Sequence, residues 1–236
     1  MATTVSVEVG ESSMGIYDVE PEGEARGAVV VIQEAFGVND HIEDVCNRFA
    51  AEGYRAVAPH LFHRSGDAVV PYENMRDVMP LLGALTGDDL EADLAATIAY
   101  LEGAGFAAGN IAVIGFCMGG SVSFLAAARH ELGAAASFYG GGIAQGRFGI
   151  APLAELAADL KTPWIGFFGD ADASIPVDQV EALREAATAA SVPTEVVRYP
   201  DADHGFHCDA RPATYDEAAA KDGWDRTLEF FGTHLS

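Results

Sequence analysis

The stretch that decides the fold is IAVIGFCMGGS, residues 111–121. Residues 111–116 are an apolar, partly β-branched run, which predicts a buried strand. The glycines after it predict a sharp turn, and residues 121–130 have the composition of a helix. Gly-x-Cys-x-Gly between a strand and a helix is the nucleophile-elbow pattern with cysteine in place of serine. Gly115 and Gly119 suit such a turn because a side chain at either position would collide with the chain across it.

This turn would place the Cys117 thiol at the N-terminus of a helix. The aligned peptide dipoles there favour an anion, and therefore the reactive thiolate. A buried structural cysteine on a glycine-rich turn is the alternative interpretation. The other cysteines are Cys46 and Cys208, and an odd number at irregular spacing argues against both a disulfide framework and a zinc site.

The rest of the chain alternates short apolar runs with amphipathic stretches. Helix starts are expected at Asp40 and at Asp88 or Asp89, and residues 60–86 are expected to be irregular with room for one short helix. Repeated β-α-β alternation predicts a single α/β domain over residues 1–236, with a mostly parallel sheet and helices on both faces. The predicted strands are 3–9, 16–19, 28–33, 54–58, 111–116, 134–139, 164–168 and 194–199. The predicted helices are 40–52, 88–101, 121–130, 153–160, 177–190 and 214–231.

Composition limits the partners. The 236 residues include 36 acidic and 13 basic side chains, a net charge of −23, so binding to nucleic acid or to an anionic membrane is not expected. The acidity fits adaptation to high salt and a coding bias equally well. We find no apolar stretch long enough to span a bilayer and no secretory signal, so a cytoplasmic location is expected.

Two further segments place an acid and a base after the cysteine, in the order that hydrolases of this topology use. Asp172 follows the predicted strand 164–168 and is the expected orienting carboxylate, with Asp170 as the fallback. His204 follows the strand 194–199 and is the expected general base. All three groups would lie at the carboxyl ends of parallel strands. A solvated surface cluster is the alternative for this histidine, since it is crowded by Asp201, Asp203 and His207.

Two backbone N–H groups are candidates for stabilising an oxyanion, one from Met118 at the helix start and one from Ala35 after strand 28–33. Glu34 stands between that strand and Ala35. A charged side chain that closes a buried apolar strand is costly unless it has a partner. Glu34 is therefore a candidate site residue, and a salt bridge or simple exposure is the alternative.

Five motifs together resemble the dienelactone hydrolase family. They are VIQEAFGVN (31–39), GFCMGG (115–120), FYG (138–140), GDAD (169–172) and HGF (204–206). The resemblance extends from about residue 10 to the C-terminus. It implies an α/β-hydrolase fold, a triad of Cys117, His204 and Asp172, no cofactor, no metal, and hydrolysis of dienelactone to maleylacetate in the degradation of aromatic compounds.

The resemblance also implies substrate contacts. In the family, the carboxylate at the position of Glu34 meets the thiol and controls its ionisation. Phe36 and Tyr139 stand in the shared motifs and are expected to contact substrate. The family binds a substrate carboxylate with two arginines, but one of these positions is occupied by Cys208 here. Arg211 lies near it in sequence, and Arg76 is the candidate for the other position.

Alternatives therefore stay open. The expected partner is a small lactone or ester, and the expected assembly is a monomer or small homo-oligomer. A broader carboxylesterase or thioesterase would use the same triad. A redox-responsive thiol protein, or a binding protein without turnover, would keep the fold but not the hydrolysis.

Overall fold

A computed structural model describes residues 2–236, and its centre is one sheet of mostly parallel strands. The strands within these residues are β1 (Ala2–Val9), β2 (Ser12–Val19), β3 (Ala28–Ile32), β4 (Arg55–Pro59), β5 (Ile111–Phe116), β6 (Ala134–Phe138), β7 (Trp164–Gly169) and β8 (Thr194–Tyr199). Their order across the sheet is β1-β2-β4-β3-β5-β6-β7-β8. Among the strand pairings of the described residues, β1 with β2 and β2 with β4 are antiparallel and the others are parallel. The predicted mostly parallel sheet is confirmed.

Helices cover both faces of this sheet, as predicted. They are α1 (Asp40–Ala51), α2 (Met75–Ala84), α3 (Gly87–Gly103), α4 (Met118–Arg129), α5 (Leu153–Leu156), α6 (Val177–Ala187) and α7 (Glu217–His234). Two successive residues of β6 show the two faces, because neighbouring side chains on a strand point in opposite directions. Ser137 hydrogen-bonds Ser123 of α4, whereas Phe138 packs against Gly223 of α7. None of the helices within residues 2–236 has the length and apolarity needed to cross a membrane.

The structure corrects several predicted helix boundaries. Asn39, not Asp40, caps α1 by accepting a hydrogen bond from the Ile42 amide, and Thr86 caps α3 in place of Asp88 or Asp89. In both cases the helix begins after the residue whose side-chain oxygen accepts a hydrogen bond from the backbone N–H three positions later. The last helix lies over 217–234 rather than 214–231, because Asp216 is its cap.

The helix after the glycine turn begins at Met118, not at residue 121. Glycine is a poor helix former, so the sequence pattern placed 119 and 120 outside the helix. Packing decides otherwise. A Cβ on Gly119 would lie 2.5 Å from the carbonyl oxygens of Ile32 and Gln33, so only glycine allows the helix to approach the end of β3 this closely.

Candidate active site

The turn between β5 and α4 holds Cys117 in a conformation that side-chain-bearing residues rarely adopt, with φ 56° and ψ −116°. A Cβ on Gly115 would lie 1.8 Å from the Gly119 carbonyl oxygen, so the turn has no room for a side chain there. The Cys117 amide donates to the Phe138 carbonyl at 3.0 Å, which anchors the turn to β6. The half-buried thiol is therefore held at the first turn of a buried helix.

Asp172 and His204 are in direct contact. His204 Nδ1 lies 2.6 Å from Asp172 Oδ2, and the other carboxylate oxygen accepts from the Ser174 amide (2.8 Å) and hydroxyl (2.6 Å). Burial alone would raise the pKa of Asp172, but these hydrogen bonds and the imidazole charge lower it. The carboxylate is therefore ionised and has a fixed direction.

Asp170, the alternative candidate for the orienting acid, pairs with an arginine instead of with His204. Asp170 accepts two hydrogen bonds of 2.7 Å from the guanidinium of Arg198 on β8. Of the two candidate acids, only Asp172 contacts the His204 imidazole among the side-chain contacts within residues 2–236.

Burial and two partners set the charge of the His204 imidazole. Its burial lowers the pKa, but hydrogen bonds with Asp172 and Cys117 and the negative charges of both raise it to about 10. With Nδ1 occupied by Asp172, Nε2 is left for the thiol. An imidazole with this pKa carries a proton at neutral pH.

Two backbone amides remain open beside the thiol. The hydrogen bonds within residues 2–236 leave the N–H groups of Ala35 and Met118 without an acceptor. Gly119 brings the start of α4 against the end of β3, so the segments that carry these two amides are neighbours. Gln33, which the sequence analysis did not single out, fixes this loop: its Oε1 accepts from the Leu61 amide and its Nε2 donates to the Glu34 carbonyl.

Glu34 is fully buried, which excludes simple exposure as its explanation. Its Oε1 accepts a long hydrogen bond from the Tyr139 hydroxyl (3.5 Å) and lies 3.8 Å from Nη1 of Arg211. Its Oε2 has no hydrogen-bond partner within residues 2–236. A buried carboxylate with one oxygen free is a costly arrangement, and such groups concentrate at functional sites.

The Tyr139 ring packs beside the His204 imidazole. Its ring centroid lies 5.1 Å from that of His204, and its backbone has a φ of 41°. Burial, and then the charge of Glu34, raises the pKa of the Tyr139 hydroxyl, so the phenol stays protonated and acts as a donor.

The Arg211 guanidinium packs against two aromatic rings. Its guanidinium carbon lies 5.8 Å from the ring centroid of Phe36 and 5.6 Å from that of Tyr72. The Tyr72 hydroxyl in turn accepts from Asn39 Nδ2 (3.1 Å) and from the Cys208 thiol (3.4 Å). Tyr72 and Cys208 were not predicted as site residues, and no spacing in the sequence links them.

Residues 60–86 cover one side of the thiol. Val78 of α2 is fully buried in a small cluster with Ala35, Phe36 and Val70, and Cys117 packs against that cluster. Arg76 lies on the exposed side of the same helix, more than 4.0 Å from every carboxylate oxygen of residues 2–236. Its predicted contact with substrate stays a prediction. No group of three or more metal-ligating side chains occurs within residues 2–236.

The chain is similar in sequence to one family of known proteins. A profile described as "Dienelactone hydrolase family" matches residues 14–235. A "Putative carboxymethylenebutenolidase" of Salmonella typhimurium is 39% identical over 230 residues, which cover 94% of this chain and 83% of the relative. The chain belongs to the dienelactone hydrolase family. It is therefore a hydrolase, and the resemblance inferred from its motifs is confirmed.

Solved structures confirm the α/β-hydrolase fold. The crystal structure of a "Putative Dienelactone Hydrolase" from Klebsiella pneumoniae is 37% identical, covers 98% of both chains and superposes with a TM-score of 0.88. MGS-M1, an alpha/beta hydrolase from a deep-sea metagenome, covers 99% of this chain and 98% of its own with a TM-score of 0.72. At 14% identity, MGS-M1 shares the fold alone.

Proposed function

We propose that this hydrolase opens lactones or esters through an acyl-enzyme on Cys117, and that its substrate is dienelactone, which it converts to maleylacetate. One observation carries the proposal: an ionised, buried Asp172 lies 2.6 Å from His204, whose remaining partner is the cysteine of the strained elbow. The names of the relatives support the substrate class.

The reaction has two halves. In the first, the proton of the Cys117 thiol is already on His204 Nε2 when the sulfur attacks the lactone carbonyl carbon, and the ring C–O bond breaks as His204 gives this proton to the leaving oxygen. In the second, a water gives its proton to His204 and attacks the thioester. The thiolate then leaves and the acid product forms. Asp172 keeps the imidazole in one tautomer throughout.

The two open amides stabilise the charge that develops on the carbonyl oxygen. Ala35 and Met118 present fixed N–H donors, which need no reorganisation during the reaction. Such a donor is worth roughly 10²–10³ in kcat.

Glu34 supplies a second proton acceptor before the substrate arrives. Its buried oxygen without a partner suits transient proton uptake from the thiol, in line with the role that the family resemblance implies. Within residues 2–236, Arg211 is the one arginine or lysine with a nitrogen within 4.0 Å of the Glu34 carboxylate. A substrate carboxylate that binds Arg211 would compete with Glu34 for this guanidinium and thereby alter the carboxylate that faces the thiol.

A broader carboxylesterase or thioesterase is the second candidate. Cys208 occupies a position where the family resemblance implies an arginine, and Arg76 is exposed. Two cations for a substrate carboxylate are therefore not assembled, which favours neutral substrates.

A substrate panel separates the two candidates. We expect kcat/KM for dienelactone to exceed that for p-nitrophenyl esters of short acids, and Cys117→Ala and His204→Ala to abolish turnover of both. Turnover of the neutral esters far above that of dienelactone would favour the broader esterase. Full turnover by both variants would overturn the triad.

A further inference from the structure

Gln33 lies between the end of β3 and Glu34, and the proposed reaction does not use its side chain. This side chain is fully buried, and both ends of its amide bond to backbone groups. Oε1 accepts a hydrogen bond from the Leu61 amide at 3.1 Å, and Nε2 donates to the Glu34 carbonyl at 3.2 Å. The two partners fix the orientation of the side-chain amide, because a backbone N–H only donates and a carbonyl oxygen only accepts. Gln33 therefore ties the loop after β3 to the loop after β4.

The contact with the Glu34 carbonyl also sets the direction of the Ala35 N–H. The carbonyl of one residue and the N–H of the next belong to one planar peptide group, and in a trans peptide bond the two point in opposite directions. A rotation of this peptide group would break the hydrogen bond with Gln33 Nε2 and would turn the Ala35 N–H away from its present direction. The side chain of Gln33 thus holds the orientation of an N–H group that it does not contact itself.

The order of the strands shows where this N–H points. β4 and β5 flank β3 on opposite sides. Leu61 follows β4, and one amide group of Gln33 contacts both Leu61 and the Glu34 carbonyl, so this carbonyl faces the β4 side. The Ala35 N–H therefore faces the β5 side, where Cys117 follows the strand. Ala35 belongs to the small apolar cluster against which Cys117 packs, and its N–H has no acceptor within residues 2–236.

The backbone of Gln33 borders the segment that carries the second open amide. A Cβ on Gly119 would lie 2.5 Å from the Gln33 carbonyl oxygen, so this oxygen packs against the first turn of α4, which begins at Met118. A hydrogen bond to a carbonyl also polarises its peptide group, which makes the N–H of that group a stronger donor. Gln33 is thus placed to control both the direction and the strength of the Ala35 donor.

We propose that Gln33 is a positioning residue for oxyanion stabilisation. Its Nε2 contact with the Glu34 carbonyl aims the Ala35 N–H at the substrate oxygen that becomes an oxyanion when Cys117 attacks. A misaligned donor costs more in the transition state than in the bound substrate, because the charge on this oxygen develops only in the transition state. The inference rests on the proposed acyl-enzyme chemistry at Cys117 and adds a residue that acts through Ala35.

Gln33→Met tests this role, since it keeps the length of the side chain and removes both hydrogen bonds. We expect kcat to fall at least about tenfold and KM to stay within about threefold, a smaller loss than the roughly 10²–10³ for a donor removed outright. Thr162→Val is the matched control. Thr162 is also fully buried and also joins a backbone N–H, that of Leu132 (2.9 Å), to a backbone carbonyl, that of His130 (2.6 Å). It precedes the amino end of β7, away from the carboxyl strand ends that carry the site, and should leave kcat within about twofold.

Two reagents for the Cys117 thiol separate the aim of the donor from a general disturbance. Butanal adds to the sulfur as a hemithioacetal: a C–S bond forms, and the aldehyde oxygen takes the electron pair of the C=O bond and then a proton. Methyl methanethiosulfonate transfers its CH₃S group to the same sulfur and releases methanesulfinate, so this reaction forms no oxyanion from a carbonyl. The affinity for butanal is measured as protection of the Cys117 peptide from this transfer, followed by mass spectrometry. We expect Gln33→Met to weaken butanal binding about tenfold and to leave the transfer rate without butanal within about twofold.

An equal change in both reactions would mean that Gln33 acts on the thiol or on the fold, and would overturn the proposal. Unchanged butanal binding in Gln33→Met, the same loss in Thr162→Val, or no protection of the unaltered enzyme would overturn it as well. If the unaltered enzyme opens no lactone or ester, the proposed function has failed by itself, and the protection assay still decides the role of Gln33.

A crystal structure of the unaltered enzyme with butanal decides the proposal if Gln33→Met does not fold. We expect the adduct oxygen to lie about 2.7–3.1 Å from the Ala35 nitrogen, with the contact between Gln33 and the Glu34 carbonyl intact. An adduct oxygen that faces away from Ala35, or a Gln33 amide that has left this carbonyl, would overturn the proposal.

Discussion

The two sides of Cys117 are built differently. On the side of β7 and β8, one oxygen of Asp172 lies 2.6 Å from His204 and the other accepts two hydrogen bonds of 2.6 and 2.8 Å from Ser174, so both carboxylate oxygens are occupied. On the side of β3, Arg211 is 3.8 Å from Glu34 and rests on aromatic rings, while Cys208 and Tyr72 meet at 3.4 Å. In the proposed reaction, the first side carries the catalytic groups at strand ends, and the second contacts the substrate through loops, which tolerate change.

The largest effect on activity is expected on the side of β7 and β8. Asp172→Asn should lower kcat by about 10³–10⁴, because the imidazole loses the partner that fixes its tautomer. The pKa of His204, now raised to about 10, should fall, since the carboxylate that raises it is gone. We expect the alkaline limb of the pH–kcat profile to move to lower pH.

Asp170→Asn is the comparison for this variant, since Asp170 pairs with Arg198 instead. It should leave kcat and its pH profile within about twofold while it lowers stability slightly. Equal losses in the two variants would contradict the assignment of Asp172 as the orienting acid.

Gly119→Ala tests whether close packing aligns the two open amides. The added Cβ would lie 2.5 Å from two carbonyl oxygens, so α4 must move away from β3. We expect kcat to fall by about 10², near the worth of one oxyanion donor. Gly103→Ala is the control, because nothing lies within 4 Å of the methyl group that it adds at the end of α3. It should leave kcat unchanged. A folded, fully active Gly119→Ala would refute the alignment.

The side of β7 and β8 was also the side that could be predicted from the sequence. Buried parallel strands have continuous apolar runs and glycine turns have few residue choices, so the sequence indicated β5, β7 and β8 and the loops that carry Cys117, Asp172 and His204. Strand ends of a parallel sheet meet at one edge, which predicted that these loops converge.

The β3 side was not predictable in the same way. The segment 60–86 has no clean periodicity, and α2 contains Pro80, so its packing over the thiol depends on tertiary contacts. Side-chain contacts alone join Tyr72 to Cys208, which lies 136 residues further along the chain, and to Asn39. No local pattern encodes such a contact.

A smaller effect, confined to substrate choice, is expected for Arg211→Met. The variant keeps the apolar contact with the rings of Phe36 and Tyr72 but loses the charge. We expect KM for dienelactone to rise about tenfold and neutral esters to change by less than about twofold. Arg129→Met, at the exposed end of α4, is the comparison and should leave KM for both kinds of substrate within about twofold. Equal loss for charged and neutral substrates would contradict a role for Arg211 in carboxylate binding.

The smallest effect concerns acid stability beneath the site. Burial, and then the charge of His41, lowers the pKa of His207 to about 3. Between pH 6.5, the ordinary histidine value, and about 3, the unfolded chain binds a proton that the folded chain does not. The free energy of unfolding should therefore fall as pH falls through this range. In denaturant titrations between pH 7 and pH 4.5, the free energy of unfolding of His207→Phe should fall less steeply with falling pH than that of the unaltered protein. The same dependence on pH in both proteins would contradict the prediction.

Direct detection of the acyl-enzyme tests the central claim. The enzyme is mixed briefly with an ester, quenched in acid, and its intact mass and peptides are measured. We expect one added acyl group on the peptide that contains Cys117, and none in Cys117→Ala. A sulfenic acid or mixed disulfide without an acyl adduct, or an acyl group on another residue with turnover retained in Cys117→Ala, would contradict it.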